Sequence, residues 1–194
     1  GVNAIREEYI ARLNAPANVA SLRLLDEDPP VPRAGEVLVR LRASSLNPHD
    51  DFVVRGVIPA ADGRIPLSDG AGEVLACGEG VTELSVGDAV VSTFWPHWLS
   101  GDMTTGTRRD IPGENVDGYA RECACMPAHA FTRAPPGYSH AQAATLPCAG
   151  VTAWRGLVVQ GKVRPGDTVL VMGSGAVSLF ALQFAKSAGA RVIA

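Results

Sequence analysis

A glycine-rich stretch near the end of the printed sequence has residue types and spacing that suit phosphate binding. The segment MGSGAVS places Gly173 and Gly175 at the first two positions of a G-x-G-x-x-G pattern, with Ser178 at the third. Glycines let a pyrophosphate approach the backbone closely, and free N–H groups at a following helix start would face its charge. A dinucleotide site is therefore predicted from five consecutive residues, Gly173, Ser174, Gly175, Ala176 and Val177. The alternative is an ordinary strand–turn–helix connection that binds nothing.

A cysteine pair is the second candidate for chemistry. Cys123 and Cys125 are followed shortly by His129, and side chains at i and i+2 of a strand share a face, so two thiolates could hold one metal ion. We favour two small apolar side chains in the core, because cysteine is commonly buried without a function. Cys148 is interpreted in the same way, as a packing residue.

The elements that must position the glycine turn follow from hydrophobic patterning. Residues 169–172 form a continuous apolar run, typical of a strand buried on both faces. Apolar residues then recur at helical spacing until Gly189, a typical helix-ending residue, and residues 192–194 predict a second strand. Because one such unit cannot cover both faces of its sheet, we expect a piece of a longer protein or a truncated chain that borrows a partner's sheet.

The part of the chain before residue 140 has a different character. Glycine and proline recur densely there, and short β-type runs lie between them, at residues 20–25, 36–43, 70–77, 88–94, 119–126 and 129–133. This pattern indicates an irregular β-barrel. Residues 100–118 form a long polar loop of the kind that is functional or mobile. A capping box at Ser139 and Gln142 then opens helical sequence, and the predicted domains are residues 1–148 and 149–194.

Composition narrows the function classes. The 194 residues are 46% hydrophobic with a net charge of −3, which suits one or two globular domains and argues against nucleic acid as a partner. No apolar run approaches the roughly 20 residues of a membrane helix. Four cysteines do not resemble a disulfide scaffold, so a cytoplasmic location is expected.

Several motifs in a fixed order resemble those of the medium-chain dehydrogenase/reductase superfamily. They are AGEVLVRLRASSLNPHD, LSDGAGEV, VGDAVV, DGYA and LPCAGVTAW, followed by the glycine turn. The resemblance covers nearly the whole chain and implies an α/β plus β architecture, in which a GroES-like β-barrel precedes the start of a Rossmann domain. It also implies NAD(P) in the cleft between the domains, a small-molecule substrate and a homodimer.

The sequence differs from the zinc-dependent members of the superfamily at the residues that bind the catalytic metal. Zinc alcohol dehydrogenases of this superfamily hold their catalytic ion with a cysteine, a histidine and a second cysteine, which correspond here to Asn47, Ser68 and Cys148. Zinc needs three protein ligands, and only Cys148 is retained. The run of four closely spaced cysteines that holds a structural zinc is also absent from the sequence. The chain therefore resembles the zinc-independent branch, similar to quinone oxidoreductases, with NADP preferred over NAD and no zinc.

The same resemblance suggests roles for individual residues. Residues 47–50 are similar to the Asn-Pro-x-Asp segment that lies in a loop beside the nicotinamide in zinc-free relatives. This assigns Asn47 to the nicotinamide or the substrate oxygen, and Asp50 to fixing the loop. His49 is a candidate proton donor, although we favour a solvated surface histidine, because most histidines are not catalytic. Thr152 matches a threonine near the nicotinamide carboxamide, and its alternative role is a side-chain-to-backbone bond inside a helix.

The expected substrate is less sharply defined. Phe94, Trp95 and Trp98 line an apolar pocket or anchor the barrel core. Relatives that reduce enoyl thioesters carry a tyrosine where Ile58 stands here, which argues against that class. The predicted function is an NAD(P)H-dependent oxidoreductase that transfers hydride to or from a quinone, an activated alkene or a small carbonyl or alcohol.

Two alternatives to that function stay open. One is a zinc-dependent alcohol dehydrogenase, and the other is a non-catalytic NADPH-binding relative with a structural or regulatory role. Residues 1–194 alone are expected to be inactive, because the rest of the Rossmann sheet is missing from them.

Overall fold

The computed structural model describes residues 8–194, which fall into two compact units. The first unit ends at Ala144 and the second begins at Thr145. The division lies slightly before residue 148, the predicted end of the first domain. The first unit contains a five-stranded and a two-stranded sheet, and the second contains a two-stranded sheet.

The first unit is built on antiparallel strands, six of which overlap the predicted β-type runs, whereas the first was not predicted. Its strands are β1 Glu8–Leu13, β2 Leu22–Glu27, β3 Glu36–Ala43, β4 Ala71–Cys77, β5 Ala89–Ser92, β6 Cys123–Pro127 and β7 Phe131–Arg133. Five of them form one sheet in the order β6-β3-β4-β5-β7, and β1 pairs with β2 in a separate hairpin. The predicted strand at residues 36–43 is confirmed with the same bounds.

The core of this unit is made by apolar side chains from neighbouring strands. Val37 and Val39 of β3 are fully buried and pack with Val74 of β4 and Val90 of β5. Branched aliphatic side chains of this kind fit the pleated, buried surface of a sheet. This packing holds the strands together, although the pairing of β3 with β4 shifts register twice, after Leu38 and after Leu41.

The first helix corrects the sequence-based expectation for residues 47–51. We expected a loop there, but α1 spans Pro48–Val54 and begins directly after Asn47. Proline at the first helical position is favourable, because its ring presets the backbone and its missing N–H would have no partner there. Asp50 and Asp51 in the first turn add negative charge near the positive end of the helix dipole.

The predicted capping box before residue 140 is confirmed. Ser139 caps α2, which spans His140–Ala143, and its hydroxyl accepts from the N–H of Gln142. The Gln142 side chain accepts from the N–H of Ser139 in return, at 2.9 Å. The first unit ends with this short helix.

The second unit has the predicted strand, turn, helix and strand. Helical turns cover Leu146–Gly150, α3 Val151–Trp154 and Arg155–Gln160, and they are followed by β8 Thr168–Leu170, α4 Ala176–Ser187 and β9 Arg191–Ile193. β8 and β9 are parallel, and Gly189 follows α4 with a positive φ of 78°. Within residues 8–194, every helix is too short or too polar to cross a lipid bilayer.

Candidate functional site

A buried carboxylate joins the start of α1 to the segment that precedes β4. Asp50 is 3% exposed, and its two oxygens accept from different backbone N–H groups, those of Asn47 and Ser68, each at 2.8 Å. Hydrogen bonds to an ionised carboxylate are among the stronger ones in proteins. Asp50 thus connects Asn47 and Ser68, two of the three residues that the resemblance matches to zinc ligands.

A second buried carboxylate orients the side chain of Asn47. Asp69 is fully buried, and its Oδ2 accepts from Nδ2 of Asn47 at 2.8 Å and from the hydroxyl of Ser45 at 2.7 Å. Because a carboxylate only accepts, the amide nitrogen of Asn47 is the end that faces it. Asp69 was not singled out from the sequence, although it is one of the two acidic residues of the LSDGAGEV motif.

His49 lies beside a glutamate from the long polar loop. Its Nε2 is 3.4 Å from Oε2 of Glu114, and both side chains are 19% exposed. Its ring meets Phe94 edge to face, with 5.4 Å between the centroids. The structure therefore does not place His49 as a solvated surface histidine. Glu114 was not singled out from the sequence either. The one feature that could have indicated it is its place in the long polar loop, since loops of that length are often functional or mobile.

The polar loop is held close to the site by tight backbone packing. Gly113 and Gly118 both lie against the backbone of Leu67, where a Cβ atom on either glycine would overlap it. The N–H of Gly118 also donates to the carbonyl of Ile65 at 2.7 Å. Ser68 follows Leu67 directly, so this packing also fixes the N–H that Asp50 binds.

The three aromatic candidates have different surroundings. Phe94 contacts His49 and also Trp95, whose ring lies under the guanidinium of Arg108 at 5.7 Å. The indole of Trp98 donates to the carbonyl of Gly101. Phe94 is the aromatic residue that touches a predicted site residue, and its role in a substrate pocket stays a prediction.

Burial keeps the two cysteines of β6 in the thiol form. It raises the pKa of Cys123 to about 11, with a further contribution from the charge of Glu8. Burial and a hydrogen bond to Glu36 raise the pKa of Cys125 to about 12. A metal ligand must be a thiolate, so both shifts oppose metal binding. Residues 8–194 contain no group of three or more His, Cys, Asp or Glu side chains placed to hold an ion.

Slow alkylation of Cys123 is the expected consequence. A pKa of about 11 in place of 9.0 leaves about one hundredth of the usual thiolate near pH 8, and only the thiolate reacts. Iodoacetamide labelling followed by mass spectrometry should show Cys123 reacting at least about 100-fold more slowly in the folded protein than in denaturant, because its burial also limits access of the reagent. The folded rate should rise until the pH passes about 11. Equal rates in both states near pH 8 would contradict this assignment.

The glycine turn of the second unit fits a pyrophosphate. Gly173 has a positive φ of 82°, and a Cβ on Gly173 or Gly175 would meet no atom within 4 Å. Gly175 precedes α4, and among the described residues no side chain caps that helix. The hydroxyl of Ser178 donates to the carbonyl of Met172 at 2.8 Å, which closes the turn where the pattern has its third glycine. Open space next to uncapped N–H groups suits an anionic ligand.

Thr152 makes a side-chain-to-backbone hydrogen bond inside a helix, which was the alternative role considered for it. Its hydroxyl donates to the carbonyl of Cys148 one helical turn earlier, at 2.5 Å, and the residue is exposed. A contact of Thr152 with the nicotinamide stays a prediction. Cys148 itself belongs to the second unit, whereas Asn47 and Ser68 belong to the first.

Known proteins match this chain along most of its length. Residues 33–136 match the alcohol dehydrogenase GroES-like domain family. A zinc-type alcohol dehydrogenase-like protein of Schizosaccharomyces pombe is 45% identical over 81% of this chain and 47% of its own length. The crystal structure of a putative alcohol dehydrogenase from Sinorhizobium meliloti has a TM-score of 0.91 and 36% identity, over 97% of this chain and 56% of that one.

A quinone oxidoreductase is also among the similar structures. The crystal structure of the enzyme from Pseudomonas syringae has a TM-score of 0.76 and 27% identity, over 95% of this chain and 51% of that one. The chain spans about half the length of the relatives that it matches.

Proposed function

The chain belongs to the medium-chain dehydrogenase/reductase superfamily, and from this membership we propose that the full-length protein is a zinc-independent, NAD(P)H-dependent oxidoreductase. Its first unit contains the GroES-like domain and its second is the start of a Rossmann domain. The proposed substrate is a quinone, an activated alkene or a small carbonyl compound. The observation that carries the proposal is the hydrogen-bond network in which Asp50 joins Asn47 and Ser68, two of the three residues that correspond to zinc ligands by resemblance.

The chemistry of this network supports a site without zinc. Asn47 offers an amide and Ser68 a hydroxyl, where zinc requires ligands such as thiolate and imidazole. The amide of Asn47 is moreover bonded to Asp69. Without a Lewis acid, charge that develops on a substrate oxygen must be met by hydrogen-bond donors, and we assign that role to His49. Asn47, whose amide nitrogen faces Asp69, is assigned to the nicotinamide through its amide oxygen. Asp50 fixes the backbone that carries both.

In this proposal, the glycine turn binds the pyrophosphate of the cofactor. Residues 173–177 would hold the pyrophosphate through backbone N–H groups and the start of α4. NAD(P)H, when bound, supplies the hydride, and the protein supplies orientation and charge stabilisation. We favour NADP over NAD and a homodimeric assembly.

Turnover by the purified full-length protein tests the proposal. NADPH and NADH oxidation should be followed with a benzoquinone, an enone and an aldehyde, alongside a metal analysis of the same preparation. The expected result is turnover that survives treatment with a chelator. Stoichiometric zinc whose removal abolishes turnover would favour a zinc-dependent alcohol dehydrogenase. NADPH binding without turnover of any acceptor would favour a non-catalytic relative.

A valine at Gly175 should weaken cofactor binding without affecting folding. Gly175 has an ordinary negative φ, and within residues 8–194 a Cβ there meets no atom within 4 Å, so we expect the backbone of the turn to keep its conformation. A bound pyrophosphate would occupy that space instead, and we expect the Kd for NADPH to rise about tenfold or more, roughly 1.4 kcal/mol.

Fluorescence titration of the full-length Gly175→Val variant measures this effect. Gly156→Val is the matched control, because Gly156 is also exposed with open space around it but lies in a different helical segment. Its Kd should equal that of the wild type. Thermal unfolding of both variants should show melting temperatures close to the wild type. An unchanged Kd in Gly175→Val would remove the glycine turn from the cofactor site.

A further inference from the structure

We propose that Glu114 is a positioning residue that holds His49 as the proton donor to the substrate oxygen. This inference rests on the proposed function, because it assigns a partner to a residue of that same site. Glu114 lies 65 positions beyond His49 in the sequence and comes from the polar loop between β5 and β6.

The geometry of the pair decides which nitrogen of His49 carries a proton. Nε2 is shielded from solvent and makes no hydrogen bond within residues 8–194, and Oε2 of Glu114 lies 3.4 Å from it. A carboxylate has lone pairs and no hydrogen to donate, so the nitrogen that faces it must carry one. Nδ1 is then the nitrogen left to exchange a proton with the substrate.

Both partners are held by their surroundings. His49 lies in the first turn of α1, whose start is fixed by Asp50, and Phe94 packs against its ring. Glu114 lies in a tight turn, where its N–H donates to the carbonyl of Ile111 at 3.2 Å, and the preceding Gly113 packs on Leu67. The 3.4 Å separation is long for a hydrogen bond, as is common in ligand-free sites that tighten when substrate binds.

The proposed step moves one proton from His49 to the substrate oxygen. When both ring nitrogens of His49 carry a proton, the Nε2–H bond faces the carboxylate of Glu114 and the Nδ1–H bond is left for the substrate. As charge develops on the substrate oxygen, the Nδ1–H bond breaks and an O–H bond forms. The ring is left neutral with its remaining proton on Nε2, facing Glu114. A proton from the bulk solvent then returns to Nδ1 and restores the starting form, so that each reduction consumes one proton from solution.

Kinetics of the full-length protein provide the first test. Glu114→Gln should lower kcat about tenfold while KM changes less than about twofold, because a proton-transfer step loses its oriented donor. Glu79→Gln is the matched control, since Glu79 is an exposed glutamate in the turn after β4. It should leave both constants unchanged. Glu114→Asp keeps the charge and should recover part of the lost kcat.

A double-variant cycle separates positioning from a structural role. In a His49→Gln background, Glu114→Gln should cause no further loss, because its effect passes through the imidazole. A full tenfold loss in that background would mean that Glu114 supports the loop and would overturn the inference.

Nitrogen-detected NMR of the imidazole gives a readout that does not depend on turnover. Neutral His49 should carry its proton on Nε2 in the wild type, and the two tautomers should mix in Glu114→Gln. Identical spectra would overturn the inference. If the wild type turns over and Glu114→Gln matches it, only the role of Glu114 fails. If the wild type reduces no acceptor, the proposed function fails, and the inference with it.

Discussion

Replacing Asp50 with alanine is expected to lower the free energy of unfolding by about 3–5 kcal/mol. Asp50 is buried and satisfies the backbone N–H groups of Asn47 and Ser68, which the alanine would leave without an acceptor. Each hydrogen bond to a charged group contributes roughly 1.5–3 kcal/mol. The start of α1 would also lose its connection to the segment before β4, so any turnover by the full-length protein should fall sharply as well.

The neighbouring aspartate provides a control for this result. Asp51 is exposed and pairs only with Arg55 on the surface of α1, among the contacts that the structure describes. Exposed pairs of this kind contribute about 0.5 kcal/mol or less. Urea denaturation of Asp50→Ala and Asp51→Ala should therefore give clearly different midpoints. Similar midpoints for the two variants would show that the buried network does not stabilise the fold.

An alanine at Gly118 should destabilise the protein by about 3 kcal/mol or more. A Cβ there would overlap the carbonyl oxygens of Leu67 and Pro66, which are backbone atoms and cannot rotate away. Both carbonyls already accept hydrogen bonds, from the N–H groups of Tyr119 and Ala120. Any shift that relieves the overlap would therefore break these bonds and displace Ser68.

Gly106→Ala is the matched control, because Gly106 lies in the same polar loop as Gly118. The nearest atom to a Cβ at Gly106 is the hydroxyl oxygen of Thr104 at 3.7 Å, an ordinary contact. Its melting temperature should equal that of the wild type, whereas that of Gly118→Ala should fall by several degrees or more. A Gly118→Ala variant as stable as Gly106→Ala would mean that the loop can move away from Leu67.

The two substitutions also report on different parts of the site. Asp50→Ala acts on the junction between α1 and the segment before β4, whereas Gly118→Ala acts on the packing of the polar loop that carries Glu114. If Gly118→Ala remains folded at low temperature, His49 should show the same mixed tautomers in NMR as Glu114→Gln, because Glu114 would be displaced.

Local patterns in the sequence predicted much of the architecture. The glycine turn, the helix after it and the two short parallel strands depend on hydrophobic periodicity and glycine positions within a few residues of one another. The capping box at Ser139 and the strand at residues 36–43 are local features of the same kind. Such patterns are readable because backbone propensity and side-chain spacing act over short distances.

The tertiary structure alone decided how the candidate site is assembled. Asp69 meets Asn47, Asp50 meets Ser68, and Glu114 meets His49, although the members of each pair are far apart in the sequence. Nothing in the composition of the polar loop indicates which of its acidic residues points at an imidazole. That choice follows from the register of the strands and from glycines that allow two backbones to touch, and both depend on packing over the whole unit.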